Sequence, residues 1–406
     1  MVAGAPSESS WPVRAPPTSA IVIALGVAQI FAWGSSYYLL GALTQPIAAE
    51  TSWSETWILA GLSLSLLIAG AISPRMGQAV AERGGRNLLA ASTLLLAAGL
   101  VILANSHAQI VYLVGWMVMG LGMGLGLYDA AFATLGRHFG EASRGPITAL
   151  TLIAGFSSTV TWPLSLFFLG QVGWRGTCIA YAVIEVALCL PLYLLFAPSI
   201  ARTARTEPIG AALGNGSPPR DRTYYILGAI LTLIAAVNTV VSVNLILILT
   251  SFGVPYATAV GLATLLGPSQ VLARLGEMFL GRRYHPIVTL TLATGSIATG
   301  NILLVFGTAA MLPAVILYGG GAGLAWVARG TVPMAIFGPR TYAVQLGRLA
   351  RPALIAQALA PAIGGFLLQR IGTVPTLSIL AVASSSAFIL AVALAIQSPT
   401  SGARVR

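Results

Sequence analysis

Residues 20–43 read AIVIALGVAQIFAWGSSYYLLGAL, a run of 24 residues without one charged side chain. A helix crossing the ~30 Å hydrocarbon core of a bilayer needs about 20 apolar residues, so this block is long enough to span. It shows no period-two alternation, which argues for a helix and against a barrel strand. Eleven further blocks of the same kind follow, at 56–74, 88–104, 110–131, 146–169, 177–196, 224–249, 257–280, 287–306, 312–335, 349–368 and 374–396. Pro163, Pro191, Pro268, Pro313 and Pro361 fall inside them, where membrane bundles tolerate what would break a soluble helix.

Composition agrees. Of the 406 residues, 57% are hydrophobic and 8% charged, with a mean hydropathy of +0.87. Soluble chains carry about 25% charged residues. The net charge of +11 comes from arginine alone, because the chain has no lysine. These arginines sit in short loops between apolar blocks, which is the placement of a membrane protein and not of a nucleic-acid stripe. Cys178 and Cys189 share one block. On a helix they stand roughly 16 Å apart along the axis, too far for a disulfide.

Arginine also orients the chain. The loops after the even-numbered blocks hold Arg75, Arg83, Arg86, Arg137, Arg144, Arg202, Arg205, Arg220, Arg222, Arg282, Arg283 and Arg340. The alternate loops hold chiefly Arg175 and Arg370, against Glu50 and Glu55. The positive-inside rule therefore puts both termini in the cytoplasm. The expected organisation is a disordered lead (1–18), a six-helix bundle (19–198), a flexible Pro/Gly/Ser linker (199–222), a second six-helix bundle (223–397) and a short tail (398–406). The halves echo each other. A shift of 199 positions carries Arg75-Met76-Gly77 onto Arg274-Leu275-Gly276, and Gly122 and Gly124 onto Gly321 and Gly323. Parallel repeats around a cytoplasmic linker suit a carrier whose site lies between two rocking halves.

The loop Gly77-Gln78-Ala79-Val80-Ala81-Glu82-Arg83-Gly84-Gly85-Arg86 resembles the signature of the major facilitator superfamily between its second and third helices. Gly77, Glu82, Arg83, Gly84 and Arg86 are the gating candidates this implies; the family's usual Asp falls on Ala81, with the acid one step later. Three segments are similar to the monocarboxylate and oxalate/formate porter branch: Thr51-Ser52-Trp53-Ser54, the Ser73-Pro74 turn, and the glycine run from Gly120 to Gly126 ending in Tyr128. Trp116 stands where drug-antiporter branches place an arginine. The cation that monocarboxylate carriers show in the first span is absent. The resemblance implies an all-α fold of twelve transmembrane helices in two six-helix bundles, with helices 3, 6, 9 and 12 outside the cavity.

Ionisable groups within spans are costly and usually face a cavity or a partner. Arg274 and Arg329 are candidates to hold a carboxylate through the planar guanidinium fork, Arg274 alternatively pairing with an acid at the gate. Asp129 and Glu277 are the proton-coupling candidates, since a carboxylate in low dielectric can load and release a proton near neutral pH; a static ion pair is the plainer reading for Asp129. Glu185, on helix 6, reads as a structural hydrogen-bond acceptor. Gln29, Trp33 and Tyr37 share one helix face at four-residue spacing and are expected to line the path with Asn238, Trp326 and Gln357. No phosphate-binding loop with lysine, catalytic triad or His/Cys metal cluster appears, so the expectation is no enzyme, cofactor or metal. The expected protein is a monomeric inner-membrane secondary carrier whose partners are the bilayer and a small anionic organic solute, with proton coupling and no nucleic acid. Export of toxic drug-like or arsenical compounds, or carriage of a neutral aromatic nutrient such as a vitamin, are the alternatives.

Overall fold

The computed structural model describes residues 16–198 and 221–397. Most of the expected linker, the lead before residue 16 and the tail lie outside them, with Arg14, Arg202, Arg205, Arg220, Arg404 and Arg406. Every regular element among the described residues is helical. The first half contains α1 (Thr18–Gly34), α2 (Leu39–Thr51), α3 (Glu55–Arg83), α4 (Arg86–Ala104), α5 (Gln109–Gly126), α6 (Tyr128–Phe139), α7 (Arg144–Ala154), α8 (Ser157–Ile184) and α9 (Leu190–Phe196). The second contains α10 (Arg222–Ser251), α11 (Tyr256–Thr264), α12 (Leu266–Leu280), α13 (Pro286–Val305), α14 (Met311–Ile371) and α15 (Thr373–Gln397). Eight helical stretches among the described residues are long and apolar enough to cross a membrane.

Two of those stretches, Gln109–Phe196 and Gly307–Ile371, hold 88 and 65 residues. At 1.5 Å per residue each is several times longer than a bilayer core is thick. Their chains turn at Gly173 (φ 68°, ψ −178°) and Gly338 (φ 70°, ψ 167°), conformations that glycine adopts without the Cβ clash other residues meet.

Local chemistry explains the helix ends and breaks. Ser54 caps α3 by accepting from the Trp57 N–H at 3.3 Å, and Asp221 caps α10 by accepting from Thr223. The first apolar block is broken at residues 35–38, where Ser35 and Ser36 hydroxyls both bond back to the Ala32 carbonyl. Such back-bonding competes with the helical ladder and bends it. The fourth block breaks at Leu127 (ψ −169°), after its glycine run. The Ser73-Pro74 pair, expected as a turn, lies inside α3, which runs on to Arg83. Pro74 cannot donate to the Gly70 carbonyl, and the Ser73 hydroxyl takes that acceptor instead at 2.9 Å, so the helix continues.

Two hydrophobic cores result. One is built from residues between Ile21 and Ala197 and admits Met334, Tyr342, Ala343, Val344, Leu346 and Ala358 from α14; the other runs from Leu227 to Leu394. The repeated glycines occupy equivalent seams. Gly122 packs on Leu96 of α4 and Gly321 on Ile297 of α13, while Gly124 packs on Ala69 and Ile72 of α3 and Gly323 on Gln270 of α12. In both halves the glycines let neighbouring backbones approach, as small residues do in membrane helix packing. The halves meet where α14 lies along α3 and α6, and where α12 touches α7.

Candidate substrate path

Between the cores lies a cavity lined by Trp33, Tyr37, Tyr128, Asp129, Trp326, Arg329 and Gln357. The breaks described above position them. The kink after α1 turns Trp33 and Tyr37 inward, and the break at Leu127 starts α6 with Tyr128 and Asp129 on the same space. Trp33 is the hub of an aromatic cluster, with ring centroids 5.3 Å from Tyr37, 4.9 Å from Tyr128 and 5.5 Å from Trp326. The Trp33–Trp326 contact joins the two halves edge to face, a geometry that aromatic quadrupoles favour. The free volume is about 20 Å³, room for a water molecule, which needs ~10–15 Å³.

Arg329 crosses the seam to Asp129. Its Nε and Nη2 donate to the two carboxylate oxygens at 2.8 and 2.7 Å, a bidentate fork. The guanidinium also lies 5.4 Å from the Trp326 ring. Two candidates from opposite halves, one cationic and one acidic, are thus brought together. Sequence alone offered Arg329 no local acid, because its partner is 200 positions away.

Glu277 is held elsewhere. Arg144 of α7 donates to it at 2.7 Å, Thr289 lies 3.0 Å from both its oxygens, and Arg144 also donates to the Tyr284 carbonyl. This second cross-seam pair ties α7 to α12 and α13. Arg274 is buried, and its guanidinium donates to the Thr151 carbonyl at 2.8 Å, the Gly323 carbonyl at 3.2 Å and Gln270 Oε1 at 3.3 Å. It joins none of the three ion pairs formed among the described residues. Its repeat counterpart Arg75 is exposed.

Other expected residues fall outside the cavity. Gln29 is fully buried; its Nε2 donates to the Gly126 carbonyl and, at 3.0 Å, to the Tyr193 hydroxyl, while its Oε1 accepts from Trp33 Nε1 at 3.2 Å. It fastens the two helix breaks and supports Trp33 from behind. Asn238 carries a buried Oδ1 without a partner, and its carbonyl accepts from Tyr318. In the gating loop, Gly77 lies against Ala343 and Gly347 of α14, so that a Cβ there would overlap the Ala343 carbonyl. Gly84 ends α3 with φ 78°, and Arg86 Nε donates to the Ala197 carbonyl at 2.6 Å. Glu82 and Arg83 are exposed, and Glu82 joins none of the described ion pairs. The acid displaced by one residue from Ala81 has been rotated out of the seam, since one residue is about 100° of helix. Tyr128 and Arg144 are the site residues that sequence reasoning missed. The position of Tyr128, next to an intraspan acid, was the available signal.

The Major Facilitator Superfamily profile matches residues 25–350. The chain belongs to the Major Facilitator Superfamily. This superfamily chain is similar in fold to the human organic anion transporter MFSD10 (TETRAN), with 13% identity and a TM-score of 0.74 over 93% of this chain and 100% of that one. It is similarly close to FucP in the outward conformation (15%, TM-score 0.73, 93% and 99% covered). The proton:xylose symporter XylE bound to 6-bromo-6-deoxy-D-glucose also resembles it (13%, TM-score 0.68, 93% and 94% covered). No curated protein sequence matches it. Membership makes this a multi-pass membrane transport protein.

The Arg144–Glu277 pair gives a direct expectation for this superfamily member. The two side chains are 20% and 7% exposed, and removing one partner of a mostly buried pair costs up to about 3–5 kcal/mol. Partial solvation lowers that figure, to about 1–3 kcal/mol. Arg144→Ala should therefore favour separation of α7 from α12 by roughly 5- to 150-fold in population. Spin labels on these two helices should show a longer distance component; an unchanged distance distribution would mean that the pair does not hold the two helices together.

Proposed function

We propose that the chain is a secondary active carrier that crosses the inner membrane twelve times, with both termini cytoplasmic. It acts as a monomer and moves a small organic anion with a proton by alternating access. The observation that carries this reading is the bidentate Arg329–Asp129 pair on the cavity wall, with one partner on each bundle. With Asp129 ionised, the guanidinium fork is occupied by its own protein. A proton on Asp129 removes that charge and frees the fork for a substrate carboxylate, so solute and proton bind together. Buried Arg274 adds a second positive charge from the same half. Trp33, Tyr37, Tyr128 and Trp326 supply apolar and edge-to-face contact for the body of the solute.

Those four aromatic rings also favour a second reading, a neutral aromatic solute with Arg329–Asp129 acting as a latch between bundles. Arg329→Lys separates the two. A lost charge-assisted hydrogen bond is worth about 1.5–3 kcal/mol, because lysine keeps the charge but lacks the fork. For an anion, binding to detergent-purified protein should weaken by roughly 10- to 150-fold. The solute would come from a thermal-shift screen of organic acids and vitamins. Unchanged affinity for the solute so identified would favour the neutral class.

A further inference from the structure

A carboxyl group away from the substrate path has surroundings that none of its neighbours' structural roles requires. Glu185 opens a single π-helical turn, Glu185–Cys189, between α8 and α9. Pro191 accounts for the loosened ladder: its ring excludes the carbonyl four residues earlier, and the helix accommodates this by widening one turn. The Glu185 side chain is fully buried. Its Oε1 accepts from the Ser35 hydroxyl at 2.8 Å, and its buried Oε2 has no hydrogen-bond partner.

Among the described residues, the surroundings hold no counter-ion. The elements packed on this turn are α1, α4, α8 and α9. α1 has no titratable side chain. α4 offers only Arg86, at its far end on the Ala197 carbonyl. α8 offers Arg175, which is bound to Glu50, together with Cys178 and Tyr181. Cys189 on the same turn and Tyr193 on α9 complete the set, and both are buried. An ionised carboxylate so placed carries an uncompensated desolvation cost of several kcal/mol, which one hydroxyl donor cannot offset.

We propose that Glu185 is a proton-binding site in the first bundle, separate from Asp129, and that its charge state controls the break between α1 and α2. The connection is direct, because the hydroxyl donor to its Oε1, Ser35, is the first residue of that break. About two turns beyond Glu185, Tyr193 of α9 meets Gln29, which holds Trp33 and the Gly126 carbonyl beside the second break. Ionising Glu185 strengthens the pull on Ser35 and draws water or a cation to Oε2; both act on the segment that aims Trp33 and Tyr37 into the cavity.

Infrared spectroscopy of the full chain in liposomes, titrated with pH, tests this without a known solute. Wild type should show a carboxylic-acid carbonyl band near neutral pH that disappears on alkalinisation, with a change in tryptophan fluorescence at the same midpoint. The band should be missing in Glu185→Gln and present in Asp129→Asn, which keeps this result independent of the coupling role given to Asp129. Ser35→Ala, which removes the donor to Glu185 but keeps the Ser36 back-bond to the Ala32 carbonyl, should leave the fold intact and move the midpoint to higher pH. No such band in wild type, a band that persists at every pH, or one unaffected by both Glu185→Gln and Ser35→Ala would overturn the proposal.

Discussion

Asp129→Asn should abolish pH-driven accumulation of the solute while leaving counterflow exchange measurable. The amide imitates the protonated acid in charge and shape, so Arg329 stays available to the substrate but no proton is carried. In proteoliposomes, a gradient of one pH unit is worth about 1.4 kcal/mol, or roughly tenfold accumulation for one proton per solute. The variant should reach a concentration ratio of about 1 under that gradient. The change also leaves a guanidinium only 7% exposed without its counter-charge, so a lower melting temperature should accompany it. Accumulation at the wild-type ratio would reduce Asp129 to a static latch.

Gly77→Leu should block transport by a different route. At this position α3 meets α14 backbone to backbone: the Gly347 Cα is 3.2 Å from where a Cβ on Gly77 would sit, and the reciprocal Cβ on Gly347 would overlap the Ser73 carbonyl. Neither contact is with a side chain that can swing away, so an isobutyl group must part the two helices. Overpacking costs about 1–3 kcal/mol, and here opening this seam relieves it. Spin labels replacing Glu82 and Arg340 should report a wider separation, solute flux should fall at least tenfold, and Gly77→Ala should show the same changes more weakly. Normal flux with an unchanged distance would mean that this seam need not close during the cycle.

The all-helical, membrane-spanning character of the chain was legible because lipid imposes a length and a polarity on every crossing; the block limits were not, since the first and fourth blocks break internally and α3 runs on to Arg83. The constant offset between halves was readable for a similar reason. Gly122 and Gly321 must each admit a neighbouring helix, and only a small residue does so. What escaped was whatever depends on rotation about a helix axis or on a partner far along the chain. Gln29, Trp33 and Tyr37 shared a face on an unbroken helix, but the serine kink turns Tyr37 away from that face, and Gln29, one turn before Trp33, is taken up by the Gly126 carbonyl and the Tyr193 hydroxyl behind the cavity wall. Glu82 was a plausible substitute for the expected aspartate until its facing was seen. The Arg329–Asp129 pair joins residues whose local contexts each look incomplete, and only the packing of the halves joins them.

The closeness of Trp33 to Trp326 has a consequence for how tightly any solute can hold. A cavity with room for one water does not admit a ligand of ten or more heavy atoms until the rings part. Its apparent dissociation constant is then its intrinsic one divided by the fraction of molecules already parted. If that fraction is about 1%, observed affinity is about a hundredfold weaker than the contacts alone would give. Smaller side chains at Trp33 or Trp326 would lift this penalty while removing contact area. Over a series of truncations, affinity should therefore rise before it falls, with the association rate increasing throughout.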